Sequence, residues 1–317
     1  MKNRPRKSFV AMLALVLGMA CTQFAPAQTF KRVRVYGGVP LVQVSAGGAS
    51  VWARASNGNP YILKGKQFVL ANSIFLTQIA VGGGNLRQAD AVWGLDSSGN
   101  IYRASKSGTT WVFNQMPGVL SQIAVGPSYS GYGPSGWSSC YPYEVWGLNP
   151  SSEIYRFNYC SNNWEWIPGI LTKLALGGGQ VWGMNGNGQV YRFLGYTPDP
   201  SWMQIPTISP LADISAGPSG LWGIRLQDNA LLQLDENLRR INAYYPPWQQ
   251  WYTPVVGVWV GGDGVWTTYS SDLMFIPQAD PSAPVFRGFP SPVAISAGGA
   301  GVWGINSSGQ VYAFSAP

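Results

Sequence analysis

The phrase AVWGLDSSGNIYR at residues 91–103 returns as QVWGMNGNGQVYR at 180–192 and as GVWGINSSGQVYA at 301–313. Self-similarity at a fixed period constrains a chain more than composition does, because every copy must build the same small unit. Anchored on its tryptophan, the phrase recurs at Trp52, Trp93, Trp146, Trp182, Trp222, Trp266 and Trp303, seven copies in all. Six residues beyond each anchor stands a turn former: Gly58, Gly99, Ser152, Gly188, Asp228, Asp272 and Gly309. Nine beyond stands a large apolar residue: Tyr61, Tyr102, Tyr155, Tyr191, Leu231, Phe275 and Tyr312. Each unit therefore reads as strand, tight turn, strand. Eight residues upstream, Val44, Leu174, Ile214, Val258 and Ile295 place one more strand in five copies. In the other two copies that interval grows to 14 (Ile79 to Trp93) and 23 (Ile123 to Trp146).

A fourth strand follows several copies, as in WVFNQMPG (111–118) and NWEWIPG (163–169), each expected to end in a Pro-Gly turn. Four-stranded units of about 40 residues cannot bury both faces alone, and stacking them radially about an axis solves that problem while leaving only short edges. Within LSQIAVG, small Ala124 alternates with branched Ile123 and Val125, as expected of a sheet clamped between two others. The expected fold is all-β, a single propeller of seven four-stranded blades over residues 28–317. The last copy stops at VYAFSAP without a fourth strand, and FKRVRVYGG (30–38) precedes the first without a blade. Residues 30–38 are therefore expected to close the last blade; the alternative is a loose arm.

The net charge of +7 suggests nucleic acid until its placement is read. Lys2, Arg4, Arg6 and Lys7 crowd the first seven residues, ahead of an apolar run (8–20) and the small-x-small site APA at 25–27. That is the pattern of a signal peptide over 1–27, cleaved after Ala27. Removing it leaves 7 − 4 = +3, and no nucleic-acid partner is expected. The apolar run is short of the roughly 20 residues that span a bilayer, so a secreted or periplasmic protein without a membrane span is expected. Lipidation at Cys21 is the alternative. The two remaining cysteines, Cys140 and Cys160, read as a disulfide in an oxidising compartment, with two buried thiols as the other reading.

These residues resemble the tectonin β-propeller family, whose repeat combines a strand ending in Gly, the V-W-G tripeptide and an I-Y-R close. VWG stands at 92–94, 145–147, 181–183 and 302–304; IYR stands at 101–103 and 154–156, and VYR at 190–192. Ala53, Thr267 and Leu231 depart from the pattern in blades one, six and five. Family members commonly have six blades. The resemblance implies a lectin that binds surface glycans at several sites around the ring, set in the grooves between blades. A protein-interaction scaffold at the cell surface or in the periplasm is the alternative.

The chain has no His, which removes the commonest general base and metal ligand and every Ser-His-Asp arrangement. Distant carboxylates could still serve a glycosidase, but the expectation is a non-catalytic protein with no cofactor and no metal. The triple glycines 82–84 and 177–179 lack the Lys-Ser/Thr of a phosphate loop and read as strand-end turns. Equivalence across copies assigns the register tryptophans to the core. Trp111, Trp137, Trp164, Trp166, Trp202, Trp248 and Trp251 stand outside the register and are better placed to meet a ligand. The two lengthened intervals fall on neighbouring blades, where equivalent loops emerge on one face and should form a raised patch. Tyr129, Tyr132, Trp137, Tyr141 and Tyr143 would offer its stacking platforms, and Arg87, Gln88 and Asp90 its hydrogen bonds to hydroxyls.

Overall fold

The computed structural model describes residues 29–315 apart from 85–87, 128–139, 196–198, 207–208, 236–239, 244–254, 263, 270–271, 279–284 and 290. Residues 1–28, with the expected signal segment and Cys21, lie outside the described residues.

Two short strands come first, β1 (Thr29–Arg32) and β2 (Arg34–Val35), and then the blades follow in chain order. Blade 1 is β3 (Leu41–Ala46), β4 (Val51–Ala55), β5 (Pro60–Lys64) and β6 (Gln67–Leu70); blade 2 is β7 (Gln78–Gly82), β8 (Ala91–Leu95), β9 (Asn100–Ser107) and β10 (Thr110–Val119). Blade 3 is β11 (Gln122–Pro127), β12 (Tyr143–Leu148), β13 (Glu153–Asn158) and β14 (Asn163–Ile170); blade 4 is β15 (Lys173–Gly177), β16 (Gln180–Met184), β17 (Val190–Gly195) and β18 (Ser201–Ile205). Blade 5 is β19 (Leu211–Gly217), β20 (Gly220–Arg225), β21 (Leu231–Asp235) and β22 (Arg240–Ala243); blade 6 is β23 (Val255–Val260), β24 (Gly264–Tyr269), β25 (Asp272–Pro277) and β26 (Val285–Arg287). Blade 7 is β27 (Pro292–Gly298), β28 (Gly301–Asn306) and β29 (Val311–Ser315), completed by β1. Seven sheets, all antiparallel except for the β2–β6 pair, make a seven-bladed β-propeller with the first strand of each blade nearest the axis.

The upstream apolar residue pairs with the residue after the anchor Trp in every blade, from Val44 with Ala53 to Ile295 with Gly304. The anchors themselves are 0–7% exposed. They pack between blades: Trp93 belongs to the cluster that joins Leu95 of blade 2 to Ile123, Val145 and Phe157 of blade 3. Each inner strand ends where the next blade's backbone comes close. A Cβ on Gly298 would collide with the carbonyl of Ala46, and one on Gly177 with the backbone of Ala216, so a side chain there would push the ring open.

Polar side chains bolt the inner strands together. The Gln43 amide donates to Ile79 O (2.8 Å) and accepts from Ile79 N (3.0 Å), joining blade 1 to blade 2. Gln78 does the same at Ile123 for blades 2 and 3, and Gln122 accepts from Leu174 N for blades 3 and 4. At the same position Lys173 forms an ion pair with Asp213 between blades 4 and 5. Ser215 and Ser296 then accept from Val260 N and Ala46 N across the next joints. Burial lowers the pKa of Lys173. In blade 6 the equivalent residue is Gly257, and the Trp259 indole lies over the space a side chain would have taken.

Three sequence expectations are corrected. Residues 30–38 do not act as one closing strand: β1 pairs with β29 in blade 7, while β2 pairs in parallel with β6, making blade 1 five-stranded. The latch thus grips both sides of the seam. The Pro-Gly pairs do not end the fourth strands; they form bulges inside them, between Met116 and Val119 and opposite Glu153–Ile154. Gly118 (φ 93°) and Gly169 (φ 127°) supply the left-handed residue such a bulge needs. Leu231 and Phe275 are not equivalent to the repeat tyrosines. Gly94 faces Tyr102, but Gly223 faces Leu232 and Thr267 faces Met274, because the turns of blades 5 and 6 differ by one residue in opposite directions. Correspondingly, Asn229 (φ 55°) takes the left-handed position expected of Asp228, whose carboxylate instead binds Arg225 at 2.7 and 2.5 Å.

Candidate binding surface

The turn between second and third strands is built alike in four blades. The residue three beyond the anchor is Asp96, Asn149, Asn185 or Asn306, and its side-chain oxygen accepts two backbone N–H groups, two and four residues on. Such a side chain replaces a backbone turn by its own hydrogen bonds. The repeat tyrosine then donates its hydroxyl to the same turn: Tyr102 to Asp96 (3.2 Å), Tyr155 to Glu153 (3.4 Å), Tyr191 to Gln189 (3.4 Å) and Tyr312 to Gln310 (3.0 Å). These tyrosines are half-buried. Tyr155, Tyr191 and Tyr312 each pack on the cluster shared with the preceding blade, which puts their rings in the grooves between blades.

Blade 3 has the most developed of these grooves. Trp166 stands directly opposite Tyr155 across β13 and β14, so both rings share the face turned toward blade 2. Among the described tryptophans Trp166 alone is exposed, at 55%. Asn149 Nδ2 donates to Glu153 Oε2 at 2.6 Å, leaving the other carboxylate oxygen for a further partner. Two aromatic faces, a carboxylate and an amide therefore stand together at the surface. Burial, then the charge and hydrogen bond of Glu153, push the Tyr155 phenol above its ordinary pKa, so it stays a neutral donor at any physiological pH. Asp96 in the next groove is held below the usual carboxylate range: burial pushes it up, but Asn100, Ser98 and Tyr102 together outweigh that.

The raised patch is partly visible. Arg87, Tyr129, Tyr132 and Trp137 lie outside the described residues, as do Trp248 and Trp251. Tyr143 Oη donates to Ala89 O at 2.7 Å, so the two lengthened loops touch. Gln88 is half-buried beside them. Asp90 is already engaged: its carboxylate accepts from Gly48 N, Ala49 N, Ser50 Oγ and Gly84 N at 2.7–3.0 Å, tying blade 2 to the turn of blade 1. Tyr141 is not the open platform expected. It is 4% exposed, its hydroxyl donates to Glu165 Oε2 at 2.6 Å, and the Arg156 guanidinium lies 3.5 Å from its ring centre. The disulfide joins Cys140 at the end of the long loop to Cys160 in the hairpin of β13 and β14, and this anchorage draws Tyr141 inward.

Three other tryptophans outside the register are corrected too. Trp111, Trp164 and Trp202 each pack edge-on against the anchor of the preceding blade, Trp52 (4.7 Å between ring centres), Trp93 (5.7 Å) and Trp146 (5.9 Å). They glue blades together. Sequence reasoning overlooked the Tyr155–Glu153–Asn149 set because the tyrosine was read only as an apolar close; its signal was an Asp or Asn three beyond the anchor.

The family model described as Tectonin domain matches residues 28–210 and 171–316. No curated protein matches the sequence at a significant level. Among solved structures, one titled YCF48 bound to D1 peptide is 12% identical, with a TM-score of 0.63, over 92% of this chain and 97% of that one. Human WBSCR16 is 9% identical with a TM-score of 0.59 over 87% of each chain. PorZ, a surface component of the type-IX secretion system of Porphyromonas gingivalis, is 11% identical with a TM-score of 0.55, over 91% of this chain and 39% of that one. At these identities the likeness is one of fold.

Proposed function

Because the chain belongs to the tectonin family, a β-propeller fold suited to binding, we propose that it is a non-catalytic, exported lectin that holds glycans in the grooves between its blades. The observation that carries this reading is the exposed Trp166 beside Tyr155, Glu153 and Asn149. An indole left in water is costly unless it meets a flat apolar surface, and the face of a sugar ring is one. The carboxylate and amide beside it suit ring hydroxyls. Related turn and tyrosine sets in blades 2, 4 and 7 give the ring several weaker copies, and linking sites in this way raises avidity by ~10²–10⁴. Export rests on the basic and apolar leader and on the Cys140–Cys160 bridge, which persists in an oxidising compartment. Gln88 and Tyr143 at the raised patch, with Arg87, Tyr129, Tyr132 and Trp137, remain candidates for a second contact region.

A glycan array tests the proposal, with the Trp166→Ala variant beside the wild type. Trp166 is exposed, so its removal should leave the melting temperature within a degree or two while weakening binding about tenfold, as for a hot-spot indole. A blank array for the wild type, across bacterial and eukaryotic glycans, would sink the lectin reading. A protein-interaction scaffold is the second reading, favoured by exposed Val42, Val256 and Val293, which share one register position at the start of the inner strands of blades 1, 6 and 7. The YCF48 structure, titled as bound to a peptide, offers a parallel. Capture of one stoichiometric partner that free sugars do not displace would favour it.

A further inference from the structure

We propose that Arg54 marks a separate site for an anionic group, a carboxylate or sulfate carried by a ligand, between blades 1 and 2 at the end of the ring where the inner strands begin. The register makes this residue an anomaly. Two beyond the anchor the other blades have Leu95, Leu148, Met184, Ile224, Thr268 and Ile305. Blade 1 alone puts a cation at that packing position. Arg54 Nε is fully buried without a hydrogen-bond partner, and no carboxylate among the described residues pairs with the guanidinium. Its pKa is lowered from the ordinary guanidinium value by burial.

The guanidinium borders an open cavity of about 740 Å³ lined also by Gln43, Thr77, Gln78, Ser97, Ser98 and Ser121, a size that accepts a small organic ligand. Asp96 lines it too, but its carboxylate is occupied by Ser98 N, Asn100 N, Asn100 Nδ2 and Tyr102 Oη. It serves its own turn and leaves Arg54 uncompensated. Gln43 and Gln78 are held by Ile79 and Ile123, and Thr77 and Ser121 donate to main-chain carbonyls, so the groups this lining offers a ligand are the Arg54 guanidinium and the hydroxyls of Ser97 and Ser98. A half-buried guanidinium takes an anion as a forked pair of hydrogen bonds. The site is distinct from the groove around Trp166: both lie where the inner strands begin, but its residues come from blades 1 and 2 with Ser121 and Pro150 beside blade 3, and neither Trp166 nor Tyr155 borders the cavity.

The test uses the full mature chain at low chloride, titrated calorimetrically with methyl glucuronide, inorganic sulfate and, as the neutral control, methyl glucoside. Saturable binding of at least one anion, weakened about tenfold or more in Arg54→Leu and to a lesser degree in Arg54→Lys, supports the site. Preference for the glucuronide assigns a carboxylate ligand, preference for sulfate a sulfated one. Leucine is what two other blades carry at this position, so without ligand the variant should melt at or above the wild-type temperature. Should Arg54→Leu fail to fold, Arg54→Lys carries the comparison. Absence of binding to either anion, or retention of wild-type affinity in the variants, overturns the proposal. Trp166→Ala should leave anion binding intact, which separates this site from the groove.

Discussion

Glu144 and Arg156 form a buried pair between β12 and β13 of blade 3, with Oε2 accepting from Arg156 Nε at 2.9 Å and from Trp146 Nε1 at 2.7 Å. A buried pair gains little over a well-packed apolar one, but removing one partner strands the other charge. Glu144→Ala should therefore cost about 3–5 kcal/mol in urea unfolding, and adding Arg156→Met should restore most of it. Tyr159 nearby is pushed up to about 12 by burial, the Arg103 cation over its ring pulling the other way. Between pH 10 and 12 the unfolded chain loses this proton while the folded one keeps it, so stability must fall as pH rises through that window, by about 2–3 kcal/mol in full. Tyr159→Phe should remove that slope from a series of denaturation curves at alkaline pH. The register tryptophans could be assigned to the core from sequence because all seven positions agree, whereas Tyr141 could not: nothing in its neighbours shows that the Cys160 anchorage turns it inward.

The disulfide is an element-scale device. It closes a loop 20 residues along the chain within blade 3, worth about 3 kcal/mol by the chain-entropy model. Reduction should lower stability by about that amount or less, and amide exchange should rise first in residues 140–163. Exchange rising evenly around the ring would show that the bridge does more than hold one blade. The latch is the second such device. β1 pairs from Thr29 with Ser315 to Arg32 with Tyr312, and Phe30 packs on Trp266, Phe289 and Phe314 with ring centres 4.6–5.6 Å apart. A missing strand and an orphan strand at opposite ends of the sequence announced this closure. The split between β1 and β2 was not legible, since blade 1 builds its outer edge β6 locally but nothing in the sequence shows that β2 comes to lie beside it.

At the scale of the whole molecule, a ring is only as stable as its seam. Each blade buries one face on each neighbour, so opening one joint exposes two faces and loosens the next joints in turn. Deleting residues 28–32 from a chain spanning 28–317 should therefore lower its single melting transition as a whole, read by circular dichroism and by tryptophan fluorescence together, rather than split off one low-temperature step. An unchanged melting temperature would deny the latch its role. Gly298→Ala makes the same point without removing contacts: its methyl meets the Ala46 carbonyl across the seam and should destabilise the ring by about 1–3 kcal/mol, as overpacking does.

The repeat determined the architecture by itself, because the period, the anchor tryptophan and the inner-strand residue are local properties that each blade must satisfy in the same way. Blade number and core tryptophans followed from them, while the Cys140–Cys160 pair was read from the cysteine count alone. What only the tertiary structure decided lies between blades. Trp111, Trp164 and Trp202 became packing residues because the preceding blade's anchor meets them, and Trp166, on the same face of β14 as Trp164, was left in water two residues farther along the strand. Leu231 and Phe275 lost their equivalence to the tyrosines through one-residue differences in their turns, since a slip of one residue exchanges the faces of a strand. Arg54 shows the same division: its place in the register is plain in the sequence, but its lack of a partner depends on where Asp96 of the next blade spends its hydrogen bonds.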